Sequence, residues 1–198
     1  MLKAMTEAIQ IPKILIYEEF DGHPIYRKGY RDFILGLKTI EEIILDTNTL
    51  QSSVNFEFQK FLSRQLLDNY VISSGWLNLN HLNVTNFQTD LSIYKKGRLK
   101  NGIQYFETPP NVFIEIDLKI DKSDYFVSEI EYFHKKTEQL LQWGVEKVIW
   151  VFSSSRRVLI ADNLQRWEFN SWDIPFNVID DVEINIWELM LKNGFIVE

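Results

Sequence analysis

Three ionisable residues at alternate positions, Glu115, Asp117 and Lys119, form the pattern in this sequence that is best suited to chemistry. If the segment is a β-strand, alternate side chains lie on one face, about 7 Å apart along the strand. Two carboxylates with a lysine just beyond them suit a divalent cation, because Mg²⁺ prefers oxygen ligands and keeps several waters. The same pattern is also typical of an edge strand with a solvated face.

The segments around this pattern favour the interior of a sheet. Val112–Lys119 alternates as a strand does, Glu129–Trp143 has helical spacing, and Lys147–Ser153 is almost wholly apolar. Strand, helix and strand in succession predict a βαβ unit with two parallel strands, and such sheets are covered on both faces. An unpaired carboxylate is costly there, so Glu115 and Asp117 need a cation or polar partners.

Two further residues could join this site. Asp90 opens a predicted strand, Asp90–Tyr94, and could supply a carboxylate from the adjacent strand. Lys136 lies on the flank of the predicted helix, where its side chain can lean toward the sheet or extend into solvent. Extension into solvent is the favoured interpretation, since lysine commonly keeps its ammonium group in water.

The rest of the chain predicts a hairpin, one long helix and several short strands. The hairpin turns at Asp21-Gly22. The other predicted elements are strands at Ile14–Phe20, Pro24–Tyr30, Tyr70–Ser73, Trp76–Leu79, Arg157–Ala161 and Arg166–Phe169, helices at Ser53–Asn69 and Ile184–Leu191, and a loop at Lys95–Gly102. Because no repeat or linker is apparent, we expect a single domain over residues 1–198, with an N-terminal lobe at 1–50 and a core at 51–198.

Composition excludes several classes of protein. The chain has 198 residues, of which 45% are hydrophobic, which is enough for a sizeable core. It has no cysteine, so disulfides, thiol nucleophiles and Cys-type zinc sites are excluded, and its three histidines are too scattered for a metal triad. The net charge of −7 means that a nucleic-acid partner would need a local basic patch.

Membrane insertion and secretion are also disfavoured by the sequence. The longest apolar run, Val148–Phe152, is far shorter than the roughly 20 residues that span a bilayer. Charged and polar residues interrupt the start of the chain, where a secretory signal would need an apolar core. We therefore expect a cytoplasmic protein with no membrane partner.

One order of segments resembles a known family. The sequence resembles the Uma-type putative restriction endonuclease family in the order of three segments. These are Asp90, then Pro110 just before Val112–Lys119, then a lysine-bearing helix that leads into Gln142–Trp150. That family belongs to the PD-(D/E)XK nuclease superfamily. The similarity extends to Tyr17-Glu18 and Asp21-Gly22 near the start of the chain and to Ile186–Leu189 near its end.

The resemblance implies an α/β fold of mixed α+β type, in which a restriction endonuclease-like mixed central sheet is flanked by helices and carries an N-terminal β-hairpin extension. It implies that Asp90, Glu115 and Asp117 hold Mg²⁺ or Mn²⁺. Two acid–lysine pairs, or registers of the motif, remain open for the catalytic lysine: Glu115 with Lys136, or Asp117 with Lys119.

The activity that the resemblance implies is metal-dependent endonucleolytic hydrolysis of DNA phosphodiester bonds. A symmetric homodimer would suit cleavage of both strands. The alternative is a binding or adaptor module of nuclease fold that no longer cleaves. The net charge of −7, the six tryptophans and the absence of a helix-turn-helix or zinc finger favour that alternative.

Overall fold

This computed structural model describes residues 10–45, 49–80, 85–99, 107–121, 125–162, 164 and 166–195. The strands are β1 (Ile16–Phe20), β2 (His23–Tyr26), β3 (Tyr70–Asn80), β4 (Thr85–Lys95), β5 (Val112–Ile116), β6 (Lys147–Phe152), β7 (Arg157–Ala161), β8 (Trp167–Ser171), β9 (Phe176–Ile179) and β10 (Val182–Ile184). The α-helices are α1 (Tyr30–Ile34), α2 (Ile40–Leu45), α3 (Thr49–Leu66), α4 (Glu129–Trp143) and α5 (Ile186–Lys192).

An eight-stranded mixed sheet forms the centre of the molecule. Its order is β2-β1-β4-β5-β6-β7-β8, with β3 also paired to β4, and β9 and β10 form a separate pair. β5 and β6 are parallel and α4 connects them, which confirms the predicted βαβ unit. The N-terminal hairpin of β1 and β2 is antiparallel, and it joins the central sheet where Glu19 pairs with Asn86 of β4.

Helices and apolar side chains cover both faces of the sheet. On one face, Phe58 of α3 and Met190 of α5 belong to the same buried cluster as Ile114 and Ile149. On the other face, Tyr132 and Leu140 of α4 belong to the cluster that contains Phe113 and Trp150. This two-sided burial is what parallel strands require.

α4 has the bounds that its sequence predicts. Ser128 caps its N-terminus by accepting a hydrogen bond from the Glu131 N–H group at 3.1 Å. The helix ends at Gly144, whose φ of 111° few other residues adopt. The Trp150 indole donates to Thr137 at 2.8 Å, and this bond fixes the helix against β6.

Several element boundaries differ from the prediction. β3 is one strand rather than two, since Gly75 adopts a φ of 144° and lets the pairing with β4 continue past an irregularity. α5 starts at Ile186 because the residues just before it pair with β9 as β10. Residues 13–15 form a short 3₁₀ turn rather than strand. Part of the predicted loop Lys95–Gly102 lies outside the described residues.

β5 ends at Ile116, three residues earlier than predicted. Asp117 follows with a φ of 59°, in the left-handed region, and this turn stops the alternation of side chains. The predicted row of Glu115, Asp117 and Lys119 on one strand face is therefore wrong. Within the described part of the chain, no helix combines the length and apolar character that crossing a bilayer would need.

Candidate active site

An open cleft of about 610 Å³ lies where β5 and β6 end. Loops at the carboxyl ends of parallel strands are a common place for ligand sites in α/β sheets. Segments from β4, α2, α3, α4 and the end of the hairpin complete its walls. Its described lining residues are Arg27, Lys28, Ile43, Ile44, Gln51, Ser52, Asn55, Asp90, Asp117, Leu118, Lys119, Glu129, Phe152, Ser153 and Ser154.

Asp90 and Lys119 form an ion pair in this cleft. The Lys119 ammonium group bonds to Oδ1 of Asp90, and the two side chains remain 25% and 13% exposed, respectively. The other oxygen of Asp90 accepts the Ile116 N–H group at 2.8 Å, which ties β4 to the end of β5. Asn55 of α3 lies 3.5 Å from Oδ1 of Asp90. The pair thus has a fixed carboxylate and a partly exposed cation.

Asp117 joins the ends of β5 and β6 instead of extending the row of charges. Its N–H group donates to the Val151 carbonyl at 2.8 Å. One carboxylate oxygen accepts the Ser153 N–H group at 2.6 Å, and the other accepts the Ser153 hydroxyl. These bonds hold the left-handed turn that directs Lys119 toward Asp90.

A second group of charges, which we name the Lys136 cluster, lies fully buried under α4. It consists of Tyr17, Glu18, Glu115, Tyr132 and Lys136. The Lys136 ammonium group lies 2.6 Å from Oε2 of Glu115 and 2.8 Å from Oε2 of Glu18. Tyr17 donates to Glu115 at 3.0 Å, and Tyr132 donates to Glu18.

Burial sets the electrostatics of the Lys136 cluster. Burial raises the pKa of Glu115 to about 7, although Lys136 acts in the opposite direction. Burial alone would lower the pKa of Lys136, but Glu115 and Glu18 hold it above its ordinary value. The pKa of Glu115 also responds to Asp90 and Lys119, so the two groups of charges lie within electrostatic reach of each other.

The favoured prediction that Lys136 extends into solvent is wrong. Two carboxylates draw its ammonium group into the sheet, where it also donates to the Gln88 carbonyl at 3.3 Å. Five aromatic rings surround it with centroids between 5.2 and 5.9 Å away, which adds cation–π attraction. Of the two predicted registers, the structure brings Glu115 and Lys136 together, whereas Lys119 pairs with Asp90 rather than with Asp117.

The predicted metal ligands are divided between the two groups of charges. Asp90 and Asp117 line the cleft. Their carboxylates are the kind of ligand that Mg²⁺ takes in proteins, where one or two carboxylates hold the ion and water completes its coordination. Glu115 is the least accessible of the three acids, because its side chain is fully buried and one of its oxygens lies 2.6 Å from the Lys136 ammonium group. Among the described residues, no three His, Asp or Glu side chains form a group that could hold a metal ion. The metal role of the three acids stays a prediction.

The structure also brings into the cleft two cations that no motif in the sequence indicates. Arg27 and Lys28 follow the hairpin and add positive charge beside Lys119. The Arg27 Nε atom is buried and has no hydrogen-bond partner among the described residues. Glu18, which the sequence indicates only through the family resemblance, is the second acid of the Lys136 cluster.

Comparison with known proteins supports the fold. No protein-family model and no curated protein matches the sequence. Among solved structures, the chain is similar to a putative nuclease belonging to DUF820 from Anabaena variabilis, with a TM-score of 0.63 and 13% sequence identity. The similarity covers 88% of this chain and 89% of that chain. The protein therefore has the restriction endonuclease-like mixed α/β fold that the resemblance to the Uma-type family implies.

Proposed function

We propose that this protein is a Mg²⁺-dependent endonuclease that hydrolyses phosphodiester bonds of DNA. The observation that carries the proposal is the Asp90–Lys119 ion pair in an open cleft at the carboxyl ends of β5 and β6. The similarity of the fold to that of a putative nuclease supports it.

The cleft offers the two kinds of groups that phosphodiester hydrolysis needs. Asp90 and Asp117 supply carboxylate oxygens, and Arg27, Lys28 and Lys119 supply cations that can bind a phosphate. A Mg²⁺ ion held by Asp90 and Asp117 would polarise the phosphate and activate a bound water.

Lys119 is the lysine best placed to act on the substrate. Its side chain is partly exposed beside Asp90, so it can orient the attacking water and neutralise charge that develops on the phosphate oxygens. Lys136 has no exposed surface, and its ammonium group already contacts two carboxylates. We therefore assign Lys136 a positioning role, in which it holds Glu115 and Glu18 in the buried Lys136 cluster.

One observation favours a nuclease-fold module that binds without cleaving. Glu115 and Lys136, which the family resemblance places among the catalytic residues, are buried and occupied by each other. A protein that had lost catalysis could keep such a cluster for stability alone.

Incubation of supercoiled plasmid with the full chain separates these functions. The proposal predicts nicked and linear products with Mg²⁺ or Mn²⁺, none with EDTA, and loss of both products in Asp90→Asn. Absence of cleavage with any divalent cation, combined with retained DNA binding, would favour the binding module instead.

A further inference from the structure

The cleft continues into a second cavity along α3. This cavity, which we name the α3 groove, has a volume of about 400 Å³, and its described lining consists of Ser52, Asn55, Phe56, Gln59, Ser74, Thr89 and Asp90. Ser52, Asn55 and Asp90 line both the groove and the cleft. A ligand whose reacting group lies at Asp90 can therefore extend along α3.

The chemistry of the groove differs from that of the cleft. Among the described residues that line it, Asp90 is the only charged one, and hydroxyl and amide side chains supply the other polar groups. The neutral groups can bond to phosphate, sugar and base edges, and the negative charge of Asp90 is offset by its ion pair with Lys119. The groove can therefore accept a polar strand that leads into the cleft, where Arg27, Lys28 and Lys119 supply positive charge.

Phe56 is the one aromatic residue among the described lining residues of the α3 groove. It is 62% exposed, although it lies in a helix whose other face is packed in the core. The Lys60 ammonium group lies 5.8 Å from its ring centroid, and its charge is balanced by Glu57, whose two carboxylate oxygens lie 3.0 and 3.2 Å from it. Proteins stack the bases of single strands on exposed aromatic rings that lie along a groove followed by the phosphate backbone.

We infer that the α3 groove binds single-stranded DNA, with one unpaired base stacked on Phe56. This inference rests on the proposed function, and it specifies the substrate as DNA that contains an unpaired segment next to the bond cleaved at Asp90. Bases within a duplex are stacked on each other, so Phe56 can contact only a base that has left the helix or lies at its end.

Fluorescence anisotropy of the full chain with fluorescein-labelled oligothymidylate, in EDTA to prevent cleavage, tests the inference. We expect tighter binding of the single strand than of the same strand annealed to oligoadenylate. Phe56→Ala should weaken single-strand binding about tenfold, or about 1.4 kcal/mol, and Phe56→Trp should restore it. Leu67→Ala, an equally exposed apolar residue just after α3, is the matched control and should bind as the wild type does.

Equal binding by Phe56→Ala and the wild type would overturn the inference, as would equal affinity for the duplex or failure to bind either DNA. The proposed function is read separately in the plasmid assay. Normal plasmid cleavage by Phe56→Ala, with unchanged single-strand affinity, would show that the α3 groove does not bind the single strand and would leave the endonuclease proposal intact. If the protein bound single-stranded DNA through Phe56 but never cleaved the plasmid, the α3 groove would be a binding site and the endonuclease proposal would be wrong.

Discussion

Lys136 and Glu115 form an ion pair of 2.6 Å in which neither side chain reaches solvent. Glu18 completes the arrangement, so one buried ammonium group serves two buried carboxylates from β1 and β5. Because each charge loses its hydration, the cluster depends on every partner being present.

Replacement of Lys136 by methionine should destabilise the fold strongly. The change leaves Glu18 and Glu115 buried without a cation, and removing one partner of a buried ion pair typically costs about 3–5 kcal/mol. Urea denaturation followed by circular dichroism measures the free energy of unfolding.

Lys135→Met is the matched control for this change, since Lys135 is the neighbouring residue of α4 but is exposed and pairs with Glu131 at 2.9 Å. An exposed pair of this kind contributes little to the free energy of unfolding, because solvent screens the two charges. If Lys136→Met cost no more than Lys135→Met, the cluster would not stabilise the fold as described.

The stability of the protein should fall as pH rises from about 4.5 toward 7 through the contribution of Glu115. Burial raises the pKa of Glu115 to about 7, against an ordinary value of 4.5, so the folded state binds its proton more tightly than the unfolded state does. The stabilisation is complete below the unfolded pKa and is lost as pH rises through the folded pKa, at about 1.4 kcal/mol for each pH unit.

Denaturation of the wild type and of Glu115→Gln at several pH values isolates this contribution. The glutamine cannot titrate, so the wild type should lose stability relative to the variant between pH 5 and pH 7. Parallel stability curves for the two proteins over this range would contradict the raised pKa.

Asp117→Ala should destabilise the end of β5 by about 1–3 kcal/mol, since it leaves the Ser153 N–H and hydroxyl groups without their acceptors. The left-handed φ of 59° adds to the cost, because alanine adopts it less readily than aspartate or asparagine does. Asp117→Asn, which keeps an acceptor and tolerates the turn, should lose less stability than Asp117→Ala. The reverse order of the two variants in thermal denaturation would show that the turn does not depend on these bonds.

Mn²⁺ titration followed by electron paramagnetic resonance should separate the acids of the cleft from the acid of the Lys136 cluster. Asp90→Asn should weaken Mn²⁺ binding at least tenfold, because Asp90 supplies an oxygen in the open cleft. Glu115→Gln should bind Mn²⁺ as the wild type does. If Glu115→Gln lost the ion and Asp90→Asn kept it, the metal would belong to the buried cluster.

The βαβ unit is predictable from the sequence because its signals are local. The alternation after Pro110, the helical spacing of α4 and the apolar run of β6 each lie within one segment, and their order requires parallel pairing of β5 and β6. The end of β5 was not predictable in this way. Apolar and charged residues alternate through Lys119. The strand nevertheless ends at Ile116, because Asp117 adopts a left-handed conformation and bonds to Ser153.

The Lys136 cluster shows why part of the site escaped prediction. The position of Lys136 on the flank of α4 allows its side chain to be either buried or exposed. It is buried because it pairs with Glu18, which lies 118 positions earlier in the chain. The same holds for Lys119, whose partner Asp90 lies 29 positions earlier. Pairing across such separations follows from the sheet order, which spacing along the sequence does not specify.

The single-turnover rate of DNA cleavage by Lys119→Met, with Mg²⁺ at saturation, tests most directly the claim that the chemistry takes place in the open cleft. We predict a rate at least about 100-fold below that of the wild type, the usual effect of losing a group that assists proton transfer or stabilises developing charge, with an unchanged melting temperature. A Lys119→Met rate within about threefold of the wild-type rate would contradict the account.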